Sequence, residues 1–213
     1  QIIKTFEDHT DLINDLAFSS DGARLASASY DATGMIWDVE TGRMLHRLRG
    51  HAGNVQNVAF HPDGRIVATA GSDRTVIIWN AEDGRPVNLL RGHDNAVHGV
   101  IFTESGVRLI SGSFDRSIRV WDTENGVTLR VLQGHPDSVT GLAVKGHALF
   151  SASNDGTLRK WNLMPDARMR VVGVAGEPKS SAISPGGKLV AVGFDSGVLR
   201  LFKIPDLELL WEK

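Results

Sequence analysis

Four histidines, His9, His51, His93 and His135, stand 42 residues apart. Four tryptophans, Trp37, Trp79, Trp121 and Trp161, follow at intervals of 42, 42 and 40, and Phe202 comes 41 residues later. Two unrelated residue types keeping one period restrict the chain to a repeat architecture, in which each unit buries its apolar face only against its neighbours. Inside each period lie short runs such as Asn54–Phe60 and Arg65–Ala70, rich in β-branched residues and too short for core helices. Gly-bearing turns separate them: Ser20-Asp21-Gly22 and Pro62-Asp63-Gly64 between the first two runs, Glu40-Thr41-Gly42 and Glu82-Asp83-Gly84 after the tryptophan. A third turn centres on Asp31, Asp73, Asp115 and Asp155. Three turns join four strands, and no segment sustains a 3.6-residue apolar period, so the chain reads as all-β.

Composition narrows the function classes. A net charge of −2 over 213 residues is not that of a nucleic-acid-binding protein, and Arg43, Arg47, Arg49, Arg65 and Arg85 are scattered over separate turns and strands among comparable acids. With no cysteine there is neither a disulfide framework nor a thiolate metal site, which fits a reducing, intracellular compartment such as the cytoplasm. No apolar run approaches the ~20 residues of a membrane-spanning helix, so no membrane partner is expected.

The motifs Gly50-His51, Gly71-Ser72-Asp73 and Trp79-Asn80, and still more closely Gly92-His93, Ser111-Gly112-Ser113-Phe114-Asp115 and Trp121-Asp122, resemble the stations of the WD-repeat β-propeller family. The resemblance covers essentially the whole chain. It implies blades of four antiparallel strands, a innermost and d outermost, arranged radially around a channel. Five repeats are present, with blades at about 7–48, 49–90, 91–132, 133–172 and 173–213. Residues 1–6 match an outer strand d of a preceding or closing blade. Five blades with two uncovered faces point to a portion of a larger, seven-bladed ring, with a self-closed five-bladed ring as the alternative.

Each of the first four repeats holds a hydroxyl, a histidine, an aspartate and a tryptophan: His9, Ser27, Asp31, Trp37; His51, Thr69, Asp73, Trp79; His93, Ser111, Asp115, Trp121; His135, Ser151, Asp155, Trp161. Ser, His and Asp invite a hydrolase reading. A nucleophile, however, is made once, whereas this set recurs in every repeat, accepts Thr69 for Ser, and has no Gly-x-Ser-x-Gly elbow. The resemblance implies instead a structural chain of hydrogen bonds from indole to hydroxyl to imidazole to carboxylate. The histidines lie on separate blades, too far apart to share a metal ion, and no cofactor is expected. In the fifth repeat the stations fall on Val174, Val192, Ser196 and Phe202, so the whole polar set is gone together, as suits a network that is worse half-satisfied than absent.

The loops entering strand a and the strand b–c turns lie on one face of such a propeller. Partner-binding candidates there are Asn14, Tyr30, Gln56, Arg74, His98, Phe114, Arg116, Asn154 and Lys179. Aromatic and Arg side chains at solvent-facing turns are the typical anchors of protein interfaces. The expectation is a non-enzymatic scaffold binding a protein or peptide across Phe114, Arg116 and His98. The alternative is a sensor or specificity domain of a larger protein carrying a kinase, protease or nucleotide-binding effector.

Overall fold

The computed structural model describes residues 2–163, 170–173, 176–204 and 207–213. These form five four-stranded antiparallel meanders, each with its strands in chain order. Blade one comprises β1 (Ile13–Phe18), β2 (Arg24–Ser29), β3 (Thr33–Asp38) and β4 (Met44–Arg49), and blade two β5 (Val55–Phe60), β6 (Ile66–Gly71), β7 (Val76–Asn80) and β8 (Pro86–Leu90). Blade three holds β9 (Val97–Phe102), β10 (Arg108–Ser113), β11 (Ile118–Asp122) and β12 (Thr128–Leu132). Blade four holds β13 (Val139–Lys145), β14 (Ala148–Ser153), β15 (Thr157–Asn162) and β16 (Arg170–Gly173). Blade five holds β17 (Pro178–Ile183), β18 (Leu189–Phe194), β19 (Leu199–Lys203) and β20 (Glu208–Glu212).

The tryptophan face of blades two to four, and the Phe202 face of blade five, packs on the opposite face of the blade before it. Trp79, with Val55, Val58 and Val67, meets Ala26, Ala28, Ile36 and Leu48 of blade one. Trp121 and then Trp161 repeat the contact at the next two junctions. At the last junction Phe202 joins Val190, Val192 and Phe194 against Phe150, Ala152 and Leu158. Packing is close enough to require glycine at the Gly-His pair: a Cβ on Gly50 would stand 2.9 Å from the Trp79 ring. Gly71 is held to glycine likewise, because a Cβ there would collide with the His51 ring and the Asp73 carboxylate.

Among the described residues, no sheet covers blade one's own tryptophan face. Ile13, Leu16 and Phe18 are 49%, 56% and 62% exposed, whereas their counterparts Val55, Val58 and Phe60 are wholly or partly buried in the first junction. Residues 2–9 form no strand in this chain. An outer strand must pair with strand c of its own blade, and no such strand lies beside residues 2–6. Phe6 instead folds edge-on against Trp37, with ring centroids 5.7 Å apart, and covers it together with Val39 and Met44. Gln1, the first residue of the expected strand, lies outside the described residues, as does Val174 of the fifth repeat.

Candidate functional site at the channel mouth

Each polar set forms one chain of hydrogen bonds. In blade three the Trp121 indole N–H donates to Ser111 Oγ at 2.8 Å, Ser111 Oγ lies 2.7 Å from His93 Nε2, and His93 Nδ1 lies 2.7 Å from Asp115 Oδ2. The matching distances in blade one, from Trp37 through Ser27 and His9 to Asp31, are 2.8, 2.7 and 2.8 Å. In blade two, from Trp79 through Thr69 and His51 to Asp73, they are 2.8, 2.8 and 3.0 Å. Blade four, from Trp161 through Ser151 and His135 to Asp155, gives 2.7, 2.7 and 2.6 Å. With His neutral and protonated on Nδ1, every donor finds an acceptor: indole N–H to hydroxyl oxygen, hydroxyl to Nε2, Nδ1–H to carboxylate. The hydroxyls of Ser27, Thr69, Ser111 and Ser151 are buried and committed on both sides.

A fifth member escaped the sequence reading. Two residues after each aspartate a hydroxyl donates to the second carboxylate oxygen: Thr33 at 2.6 Å, Thr75 at 2.8 Å, Ser117 at 2.6 Å and Thr157 at 2.6 Å. The signal was available, because the hydroxyl recurs with the period and is Val198 in the fifth repeat. There Val192 and Phe202 are buried in the apolar junction, with Val198 packed beside them.

These networks fix the b–c turns against the loops that enter strand a. A backbone bond recurs in all five blades: the N–H groups of Tyr30, Ser72, Phe114, Asn154 and Asp195 donate to the carbonyls of Leu12, Asn54, Ala96, Ser138 and Glu177, at 2.9 to 3.1 Å. The two groups of binding candidates therefore sit side by side at one end of the sheets.

Within each strand a, the pairing with strand b slips around one residue: Asn14, Gln56, His98, Thr140 and Lys179. Such bulges re-aim side chains, and here these five residues line one cavity of about 650 Å³. Two of them bond to the next blade. Asn14 Nδ2 donates to the Gln56 carbonyl and Thr140 Oγ1 to the Pro178 carbonyl. Lys179 Nζ pairs with Glu177 at 3.2 Å. Burial depresses the His98 pKa, the Thr140 carbonyl opposes that, and the Lys179 charge adds to it. A second relay, on the cavity wall, also went unread in the sequence. Asp15 Oδ2 accepts from Asn57 Nδ2 at 2.6 Å and from Val58 N–H at 3.0 Å, and Asn57 Oδ1 accepts from Val100 N–H at 2.8 Å.

Tyr30, Arg74, Phe114, Arg116 and Asn154 stand outside this cavity, on the b–c turns. Phe114 connects the two groups: its ring stacks on His98, centroids 5.3 Å apart and planes 19° from parallel, while remaining 37% exposed. Arg74 and Arg116 are exposed, Tyr30 is half-buried, and Asn154 Oδ1 is buried without a hydrogen-bond partner. Arg74 and Arg116 have φ of 70° and 72°, where blades four and five place Gly156 and Gly197. A side chain in that region costs free energy that glycine avoids, partly offset by glycine's greater freedom when unfolded. Arg74→Gly is therefore expected to stabilise the fold by about 0.5–1 kcal/mol, read as a higher denaturation midpoint. A lower midpoint would show that the Arg74 side chain contributes contacts outweighing the strain.

Among the described residues, no group of three or more His, Asp or Glu is placed to hold a metal ion, and no helix is long and apolar enough to cross a membrane.

Comparison with known families agrees with this geometry. Residues 2–125 match the family model for the WDR41 β-propeller, and residues 126–162 match the WD domain, G-beta repeat. The first match covers more than half of the chain, which belongs to the WD40-repeat β-propeller family. Among curated proteins it is similar to WD repeat-containing protein pop1 of Schizosaccharomyces pombe, 45% identical over 51 residues, or 24% of this chain and 6% of that protein. It is similar also to the small ribosomal subunit protein RACK1 of Candida albicans, 43% identical over 44 residues, or 21% of this chain and 14% of that protein. The WD repeat and SOCS box-containing protein 1 of Danio rerio is 43% identical over 53 residues, covering 24% and 12%. The aligned stretches are thus a small part of each relative's length.

Proposed function

We propose that this chain is a non-enzymatic interaction scaffold, and that a peptide or protein docks at the channel mouth across His98, Phe114 and Arg116. WD40 propellers typically act as protein-interaction scaffolds. The observation that carries the local assignment is the exposed Phe114 ring stacked on His98 at the cavity edge, beside Arg116 in a left-handed backbone conformation. A rigid aromatic presented at low entropic cost, next to a guanidinium, is the composition of an interface hot spot. Backbone strain retained at a solvent-facing turn fits a functional position. The hydrolase reading has less support, since each candidate nucleophile is buried and already accepts the indole N–H.

The test is quantitative recovery of bound proteins on immobilised wild-type chain and on the Phe114→Ala, Arg116→Ala double variant. We expect at least one protein held by the wild type to fall about tenfold or more, the scale of truncating one or two anchors. Equal recovery on both would remove these residues from the interface.

The open face of blade one favours one further reading, that these blades are part of a larger ring within a longer protein. Ile13, Leu16 and Phe18 need a covering sheet of the kind blades two to five receive. On this reading, hydrogen exchange at β1 is slower in the full-length protein than in the 213-residue chain. Equal exchange would argue against a covering blade.

A further inference from the structure

At the opposite end of the sheets, where the a–b and c–d turns lie, the grooves between blades are not filled alike. The groove between blades one and two is closed by Arg24, the first residue of β2. Its guanidinium donates to the Gly64 carbonyl at 2.7 Å and to the Ala81 carbonyl at 3.2 Å, and lies 5.7 Å from the Phe60 ring centroid. Between blades three and four, Arg108, the first residue of β10, donates to the Leu163 carbonyl at 3.0 Å. Ala81 and Leu163 are equivalent, each two residues past its tryptophan, and both are buried in their junctions.

Between blades two and three the pattern breaks twice. The first residue of β6 is Ile66, which has no donor to offer. The residue two past the tryptophan is Thr123, only 8% exposed, whose Oγ1 is buried without a hydrogen-bond partner. A buried hydroxyl left unpaired costs stability, and an apolar residue serves at this position in the other blades. A pocket of about 430 Å³ lies here, walled by Ile66, Ile78 and the exposed Val87 and Val107, with Thr123 among its lining residues, while smaller ones of about 380 and 340 Å³ flank Arg108 in the next groove. Its rim carries Asp63, Asp122 and Glu124 against the single cation Arg65. His61 forms part of one wall. It lies edge-on to Phe102 at 5.1 Å and against Gly106, so it takes the ledge that Arg24 uses in the previous groove without closing the pocket.

We propose that this pocket binds an arginine side chain of a partner peptide, whose guanidinium addresses the Thr123 station as Arg24 and Arg108 address its counterparts Ala81 and Leu163 in the neighbouring grooves. The chain itself supplies the template twice, in both cases with arginine directed at the carbonyl of the Thr123 station. A guanidinium only donates, so the Thr123 hydroxyl and carbonyl are suitable acceptors, and its planar fork offers them separate N–H groups in a fixed geometry. The ligand's aliphatic stem packs on Val87 and Val107, and the three rim carboxylates favour its charge over that of an acidic segment. The site lies on the face away from Phe114, so it stands or falls independently of the function proposed above.

Methyl-resolved NMR of the full chain, titrated with Nα-acetyl-L-arginine amide, tests the proposal. Nα-acetyl-L-citrulline amide serves as the uncharged isostere. The arginine probe is expected to shift the Val87, Val107 and Thr123 methyl signals, with citrulline about tenfold weaker. Thr123→Val weakens the arginine probe by about tenfold. Ile66→Arg, which copies Arg24 and Arg108, abolishes the shifts and raises the melting temperature. Absence of shifts at these methyls, equal shifts with citrulline, or undiminished binding by Ile66→Arg would overturn it. Should Ile66→Arg fail to fold, the citrulline comparison on the wild-type chain and the Thr123→Val titration still decide.

Discussion

Asp73→Ala is expected to lower the thermal midpoint by roughly 4–16 °C, from a loss of about 2–4 kcal/mol. The carboxylate accepts from His51 Nδ1 at 3.0 Å, from the N–H groups of Ala52 and Thr75 at 2.9 and 3.1 Å, and from Thr75 Oγ1 at 2.8 Å. Removing it strands several donors, one of them on a histidine whose side chain is fully buried. The cost therefore exceeds that of one ordinary hydrogen bond. Downstream, His51 loses the partner that fixes its tautomer, and with it the Thr69 and Trp79 links loosen. Asp73→Asn, which keeps an acceptor, should lose less. Calorimetric melting of the two variants measures this, and an unchanged midpoint for Asp73→Ala would show that the network contributes little to the fold.

The second large effect is loss of stability on acidification. Burial by itself raises the pKa of the network aspartates, but hydrogen bonds from His, hydroxyl and backbone N–H donors outweigh it. Asp31 is lowered to about 2, and Asp73, Asp115 and Asp155 are also held below the ordinary carboxylate range. A carboxylate whose folded pKa lies below its unfolded one contributes stability above the unfolded value. That contribution is lost as the pH falls through the folded one. All four blades thus weaken together from about pH 4 downward. An earlier, smaller decline comes from histidine. Burial lowers the His135 pKa, more than the Asp155 carboxylate restores, and burial lowers His98 as well. A histidine with a depressed folded pKa favours the folded state above its unfolded value near 6.5, and that contribution diminishes as the pH falls below it. Urea midpoints at pH 7, 5 and 3 should fall in two stages, the steeper one below pH 4. A midpoint constant down to pH 3 contradicts this account of the network.

The repeated features were legible because they are local in sequence. A histidine, a hydroxyl, an aspartate and a tryptophan recurring at one period announce four strands and a shared set of partners, and the strands stand where turn glycines such as Gly22 and Gly64 separate them. What joins one blade to the next was harder to read. Asn14 and Thr140 donate to backbone carbonyls of a neighbouring blade, and a backbone acceptor leaves no residue-type signature. The Asp15–Asn57 relay ends at Val100 N–H because blade three carries Gly99 in the equivalent position, a break in a pattern only two members long. Residues 2–6 matched a strand pattern, but a strand exists only with a pairing partner, and Phe6 found Trp37 instead. The candidate site was legible as a set of positions. That Phe114 would stack on His98, tying rim to channel mouth, needed the bulge in β9 that aims His98.

On the proposed function, the repeated polar residues hold the fold while non-repeated residues beside the cavity carry the interaction. Partner retention at 10 °C, well below thermal unfolding, tests it on wild type, Asp73→Ala and the Phe114→Ala, Arg116→Ala double variant. Asp73→Ala is expected to keep the partner despite its lower melting temperature, and the double variant to lose it with a nearly unchanged one. Retention by the double variant together with loss by a folded Asp73→Ala would contradict it.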